Sequence, residues 1–167
     1  GGQEEASASK TTFLITVLRN IGYTLSNKTD IKKELSQVNN GGAIEGYDLY
    51  IFDGVMPQVL PDDGAVWFIN PSKDPVVTSL EIGNKESAEL GSPFYMIPAV
   101  SSDSDAYKIL TKNIGKRSIA VGEYRPLYTS DSKKYEEIFT CNNQAVMMAG
   151  KENNVRVICL SLDIHMT

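Results

Sequence analysis

Tyr47-Asp48-Leu49-Tyr50-Ile51-Phe52-Asp53-Gly54 is the stretch whose reading decides the fold. Leu49 to Phe52 run without polar alternation, the pattern of a strand covered on both faces. Ala65-Val66-Trp67-Phe68-Ile69-Asn70-Pro71 repeats it a little further on. Between them, Pro57 and Pro61-Asp62-Asp63-Gly64 supply turns and leave little room for a long helix. Two doubly covered strands this close in sequence predict a parallel sheet with helices on both faces.

Upstream, Phe13, Leu14, Val17, Leu18 and Ile21 recur at helical spacing, with Thr11 or Thr12 as N-cap and Gly22 past the end. A short strand is expected at 23–25. Asp30 caps a second helix through Ile31, Leu35 and Val38, closed by Asn39-Asn40-Gly41-Gly42. Downstream the signal weakens into short strands at 76–82, 95–97 and 118–121. A polar loop is expected at 101–105, a turn-rich stretch at 122–126 and a charged, exposed segment at 130–135. Residues 144–149 and 155–162 flank Gly150-Lys151-Glu152-Asn153-Asn154, which reads as a hairpin with a four- or five-residue loop. The expected class is α/β: a mixed sheet, helices on both faces and a C-terminal β-hairpin. Residues 1–10 are small, polar and acidic, read as a cloning remnant plus linker, and 11–167 as one domain.

The chain has 167 residues, 41% of them hydrophobic. That suffices for a single core burying roughly 70% of the unfolded surface. Sixteen Lys plus Arg against twenty-one Asp plus Glu give a net charge of −5, so there is no electrostatic ground for expecting a nucleic acid. No apolar run reaches the roughly 18 residues of a membrane span. His165 is the one histidine, and Cys141 and Cys159 are the two cysteines. Catalysis needing two or more histidines is excluded, as are the usual structural zinc sites. Phosphate-cradling G-x-x-x-x-G-K-[ST], dinucleotide G-x-G-x-x-G after a strand, G-x-S-x-G and C-x-x-C are all absent, and no cofactor or metal is expected.

Ligands of open parallel sheets sit beyond the carboxyl ends of the strands. Asp53 and Gly54 end the first strong strand and Asn70 the second, so they face the first crevice to consider; Asp163, near the end of the hairpin, is a further candidate. The competing reading is ordinary turn chemistry, with Asp53 opening a turn and Gly54 taking a positive φ. Asp103 and Asp105 resemble a calcium loop superficially, but the downstream Gly and Glu are missing, and a solvated loop is the better reading. Asn27-Lys28-Thr29 matches a glycosylation sequon. With the hairpin loop centred near 152, Cys159 faces residues 144–145 and Cys141 lies three or four residues beyond. At about 3.3 Å per residue the offset is some 10–13 Å, past the roughly 7 Å limit of a disulfide. Two free thiols are expected, Cys159 packed within its strand.

Two stretches together resemble a known family. Tyr47 to Pro57, then Leu60-Pro61 and Val66-Trp67-Phe68-Ile69-Asn70-Pro71, are similar to a "yDlyvfDg-x-x-P-x-x-lP…G-x-x-x-x-inP" pattern. It occurs in the glutamine amidotransferase-like domain of bacterial membrane proteins that also carry a von Willebrand factor type A domain, related to Bat-type aerotolerance proteins. Thr12-Phe13-Leu14 with Leu18, and Gln144 to Lys151 followed by Val155 to Ile158 and Leu162-Asp163, resemble its opening helix and its ending. The match covers about residues 12–71 and 140–165. The family's first strand has only a poor counterpart in residues 6–10, and its carboxyl end reads as truncated here. The resemblance implies a flavodoxin-like fold akin to class I glutamine amidotransferases. Those enzymes need a thiol on a glycine-flanked elbow and a His-x-Glu pair. Here Ile69-Asn70-Pro71-Ser72 carries no thiol, and Thr167 stands two residues after His165. Activated thiolate chemistry lacks its parts.

The expected function is that of a non-catalytic binding or assembly domain. Its partner is another domain of the parent chain or another protein, on the extracytoplasmic side of a membrane-anchored bacterial protein. Two alternatives stand beside it: a small-ligand sensor binding at the strand ends near Asn70, and a hydrolase using Asp53 and Asp163 as acid and base.

Overall fold

The computed structural model describes residues 45–76, 79–99, 104–112 and 119–164. The helices expected over 11–22 and 30–38 and the strand at 23–25 lie outside these residues. The described residues are mostly strand: β1 Leu49–Asp53, β2 Ala65–Ile69, β3 Leu80–Ile82, β4 Glu86–Ser87, β5 Phe94–Pro98, helix α1 Asp105–Thr111, β6 Ile119–Tyr124, β7 Leu127–Thr129, β8 Tyr135–Cys141, β9 Gln144–Glu152, β10 Val155–Leu160 and β11 Leu162–Ile164. This overturns the expected flavodoxin-like, glutamine amidotransferase-like α/β layering. Among the described residues one seven-residue helix accompanies eleven strands, and no pair of helical layers sandwiches the sheet.

The large sheet runs β1-β2-β10-β9-β8-β5-β6-β11, with β4 also on β6; β3 and β7 form a separate two-stranded ribbon. Among the described strands only β1–β2 and β2–β10 are parallel, and every other pair is antiparallel. The expectation of adjacent parallel strands holds for β1 and β2, although no helix connects them. Ser161 alone separates β10 from β11, yet β10 pairs with β9 and β11 with β6. The path from β10 through β9, β8, β5 and β6 therefore returns to the same chain segment, and the sheet curls back on itself. Ser161 holds the closure through its backbone: its N–H donates to the Val146 carbonyl at 2.8 Å, and its carbonyl accepts from Arg125 N–H at 2.9 Å.

β2 is buried on both faces, as its unbroken run of β-branched and aromatic residues predicts. Val66 and Phe68 join one apolar cluster, Trp67 and Ile69 the other. β1 is different. Tyr50 and Phe52 are buried while Ile51 is 40% exposed, so it alternates after all. The ribbon lays Leu80 and Leu127, with Ile82 at its rim, on the cluster of Phe68, Val157, Cys159 and Met148. On the other cluster, α1 contributes Leu110 and, partly buried, Tyr107. Ser104 starts this helix, its hydroxyl accepting from Tyr107 N–H at 3.0 Å with Asp105 in the first turn. The expected polar loop thus ends as a helix cap.

Both C-terminal turns are two residues long. Asn142 and Asn143, and again Asn153 and Asn154, all take positive φ, the left-handed pair that matches the twist of a tight hairpin and that asparagine tolerates. The terminal hairpin is therefore tighter than expected, and its register sets Cys159 opposite Met148 rather than residues 144–145. Tyr135 and Glu152 fall in segments expected to be exposed, yet both are buried. Tyr135 pairs with Gly150, its ring lying where a side chain at 150 would go. A Cβ there would overlap the Lys134 carbonyl oxygen and stand 2.6 Å from the Tyr135 ring.

Gly150→Ala is expected to cost about 2–3 kcal/mol, since backbone and not a flexible tip must give way. A fall in the urea midpoint at unchanged slope would register it; an unaltered midpoint would show that the β8–β9 pair relaxes freely.

Candidate functional site

β1, β2 and β10 run in the same direction and end level. Asp53 pairs with Ile69, and Ile69 with Leu160. Each of the first two strands is held by one more bond before the chain leaves the sheet. Gly54 N–H donates to the Ile69 carbonyl at 2.8 Å, and Asn70 N–H to the Leu160 carbonyl at 2.7 Å. Both turn away in the left-handed region, Gly54 at φ 72° and Asn70 at φ 46°. A Cβ at Gly54 would meet open space, so glycine serves the backbone angle there rather than a close approach. Asp53 and Asn70 are exposed. Ser161, next after Leu160, is 1% exposed, and its hydroxyl finds no hydrogen-bond partner among the described residues. Buried polar atoms are seldom left so.

Three of the four sequence candidates, Asp53, Gly54 and Asn70, thus share one rim. Asp163 does not join them. It sits on β11 opposite Glu123, beyond the Ser161 bend and three residues past Leu160, on a strand that pairs with β6 and not with β1, β2 or β10. Ser161 is the residue that sequence reasoning misses. A serine inside an apolar run is the available signal, but only the bend there explains it.

The thiols are sequestered. Cys141 and Cys159 are free and buried, in opposite clusters of the core. Burial pushes the Cys141 thiol up to about 11 against the opposing hydrogen bond from the Tyr95 backbone, and the Cys159 thiol up to about 12. Neither is a poised nucleophile. His165, Asp103 and the sequon at Asn27 lie outside the described residues, and Asp105 opens α1. Among the described residues no three His, Cys, Asp or Glu side chains gather as a metal site would need. Nor, among them, is any helix long and apolar enough to cross a membrane.

The most perturbed titratable cluster lies elsewhere and ties the ribbon to the sheet. Glu152 meets Lys134 Nζ at 2.5 Å through one oxygen and accepts from Tyr135 O–H at 3.1 Å through the other; Lys134 Nζ also donates to Ser79 Oγ at 3.4 Å. Burial alone would raise the Glu152 carboxyl, but hydrogen bonds from Lys134, Ser79 and Tyr135 outweigh it and hold it below 4.5. Burial, with the Glu152 charge beside it, drives the Tyr135 hydroxyl far above its ordinary value. Both carboxylate oxygens are engaged, which makes the cluster a clasp rather than a general base. A second clasp sits at the mouth of β1, where Asp63 accepts from Gly46 N–H at 2.6 Å and from Tyr50 O–H at 2.5 Å. A third closes the ring: Tyr124 O–H donates to Gln144 at 2.7 Å and accepts from Asn142 at 3.2 Å.

No family model matches the chain, and no curated protein does. Solved structures do resemble it. Cytoplasmic Protein STM1381 from Salmonella typhimurium LT2 aligns with TM-score 0.55 at 9% identity, over 91% of this chain and 75% of that one. Cytoplasmic Protein STM3548 from Salmonella typhimurium aligns with TM-score 0.54 at 12% identity, over 92% and 75%. The likeness is one of fold. The carbohydrate deacetylase Agd3 reaches TM-score 0.45 at 8% identity over 87% of this chain and 21% of its own, too low to establish a shared fold.

Iodoacetamide at neutral pH is expected to leave both thiols unlabelled until denaturant is added, whereas rapid stoichiometric labelling of the native protein would contradict their sequestration. Because the folded Glu152 carboxyl titrates below 4.5, its contribution to stability is complete above that pH and drains away as pH falls below it. Glu152→Gln should lower stability at pH 7 and flatten the fall of the urea midpoint as pH drops below the ordinary glutamate range.

Proposed function

We propose that this chain is a non-catalytic binding domain whose ligand seats beyond the carboxyl ends of β1, β2 and β10. The observation that carries the reading is the level ending of three parallel strands. Two left-handed residues turn the chain off there, with the exposed side chains of Asp53 and Asn70 on the rim. Ser161, next after Leu160, is buried and does not face that surface. A carboxylate and an amide together suit a small, hydrogen-bond-rich ligand such as a polyol or an amine.

Two features support binding rather than turnover. Both thiols are buried with raised pKa values, and Asp163 lies on β11 against β6 rather than on the rim that carries Asp53. A surface that presents a ligand-filled rim to a partner remains compatible with an assembly role.

A thermal-shift screen of sugars, polyols, amines and amino acids tests the reading. A true ligand at about 100 times its Kd adds about 2.7 kcal/mol to stability and raises the Tm by several degrees. Asp53→Asn combined with Asn70→Gly should abolish the shift. The pair removes one charge and one amide while keeping the left-handed backbone accessible. A shift that survives both changes, or no shift across the screen, would count against the site.

A further inference from the structure

We propose that Lys151 and Arg156 form a two-cation docking point for the carboxylates of an acidic protein segment. This surface lies at the opposite end of β10 from the strand-end rim and does not depend on it. The two residues stand directly opposite each other in the β9–β10 hairpin. Both are exposed, and among the described residues the salt bridges engage Lys85 and Lys134 but neither of these. Directly opposed residues of an antiparallel pair have Cα atoms about 4.5–5.5 Å apart, and like charges so placed repel.

The chain has carboxylates in excess, with a net charge of −5, yet among the described residues Glu152, next in the strand, and Glu136, on β8, are engaged elsewhere. Glu152 follows Lys151 in the strand, points to the other face and is buried against Lys134 and Tyr135. Glu136 is level with Ala149, two residues from Lys151, and both of its oxygens take the Ser104 hydroxyl at 2.7 Å. The Asn153–Asn154 turn fixes the two backbone positions side by side before any partner arrives, so the ordering cost of binding is confined to the two side chains.

The cations define the partner. Ile158, two residues along from Arg156 on the same face, packs against the core, and Trp67, level with it, is 1% exposed. An extended segment carrying paired carboxylates would therefore be held by the two cations. A nucleic acid fits poorly. Two cations release too few counterions to hold it.

The test is fluorescence anisotropy with a labelled peptide of glutamate and leucine residues at low salt. Saturable binding is expected, weakened at least tenfold by about 0.5 M salt. Lys151→Glu and Arg156→Glu should each abolish it, while Lys73→Glu, at an exposed lysine elsewhere, leaves it intact. Arg156→Glu should also raise the urea midpoint, because an attractive cross-strand pair replaces a repulsive one. Peptide affinity unchanged in Arg156→Glu would overturn the proposal. So would equal or tighter binding to vesicles of anionic phospholipid, and so would a lowered midpoint, which would reveal a structural partner for the charge.

Discussion

The bend at Ser161 governs this molecule. In one residue the chain passes from a strand held between β2 and β9 to a strand held by β6. A serine manages this because its two backbone groups serve different neighbours, Val146 on one side and the residue after β6 on the other. Without the bend, β6 would lack β11 and stand as a margin of the sheet with bare backbone groups on one side. With it, that margin is covered. The same bend brings a hydroxyl into a place where nothing among the described residues bonds it.

The polar clasps are placed where the layers would otherwise part. Lys134, Tyr135, Ser79 and Glu152 fasten the ribbon, Tyr50 and Asp63 fasten the entry to β1, and Tyr124, Gln144 and Asn142 fasten the closure. Each contains a tyrosine whose ring packs in the apolar interior while its hydroxyl reaches outward, the division of labour that side chain allows. Burying Glu152 is tolerable only because three donors converge on it. Lys151, adjacent in sequence and on the other face, has no such company among the described residues.

Where the sequence is legible, a single local rule suffices. β2 reads as doubly buried because Val66 to Ile69 are all large and apolar, and it is. The terminal hairpin reads from its turn residues, although the loop is shorter because both asparagines accept left-handed angles. β1 misleads because Tyr50 and Phe52 are buried while Ile51, equally apolar, stays half in solvent; composition does not show which face a neighbour will cover. β8 is hidden because its alternation breaks at a register shift between Glu137 and Phe139. Helix α1 is too short to show a period, and Gly122 disguises the middle of β6. Of the site, Asp53, Gly54 and Asn70 are legible as strand ends. Asp163 reads as a continuation of the hairpin, and the bend that carries it away depends on contacts with β6 that no local pattern encodes.

The β2–β10 ladder joins Val66 to Val157 and Phe68 to Cys159, and this sets terms for how the chain emerges from a ribosome. At about 5–20 residues per second, several seconds separate the appearance of β2 from that of its second partner. For that interval β2, buried on both faces in the finished fold, has β1 on one side and lacks β10 on the other. Long-range pairing of this kind is slow to form and leaves a hydrophobic edge open meanwhile. That edge is covered only once Leu160 has cleared the exit tunnel and β10 can pair with β2.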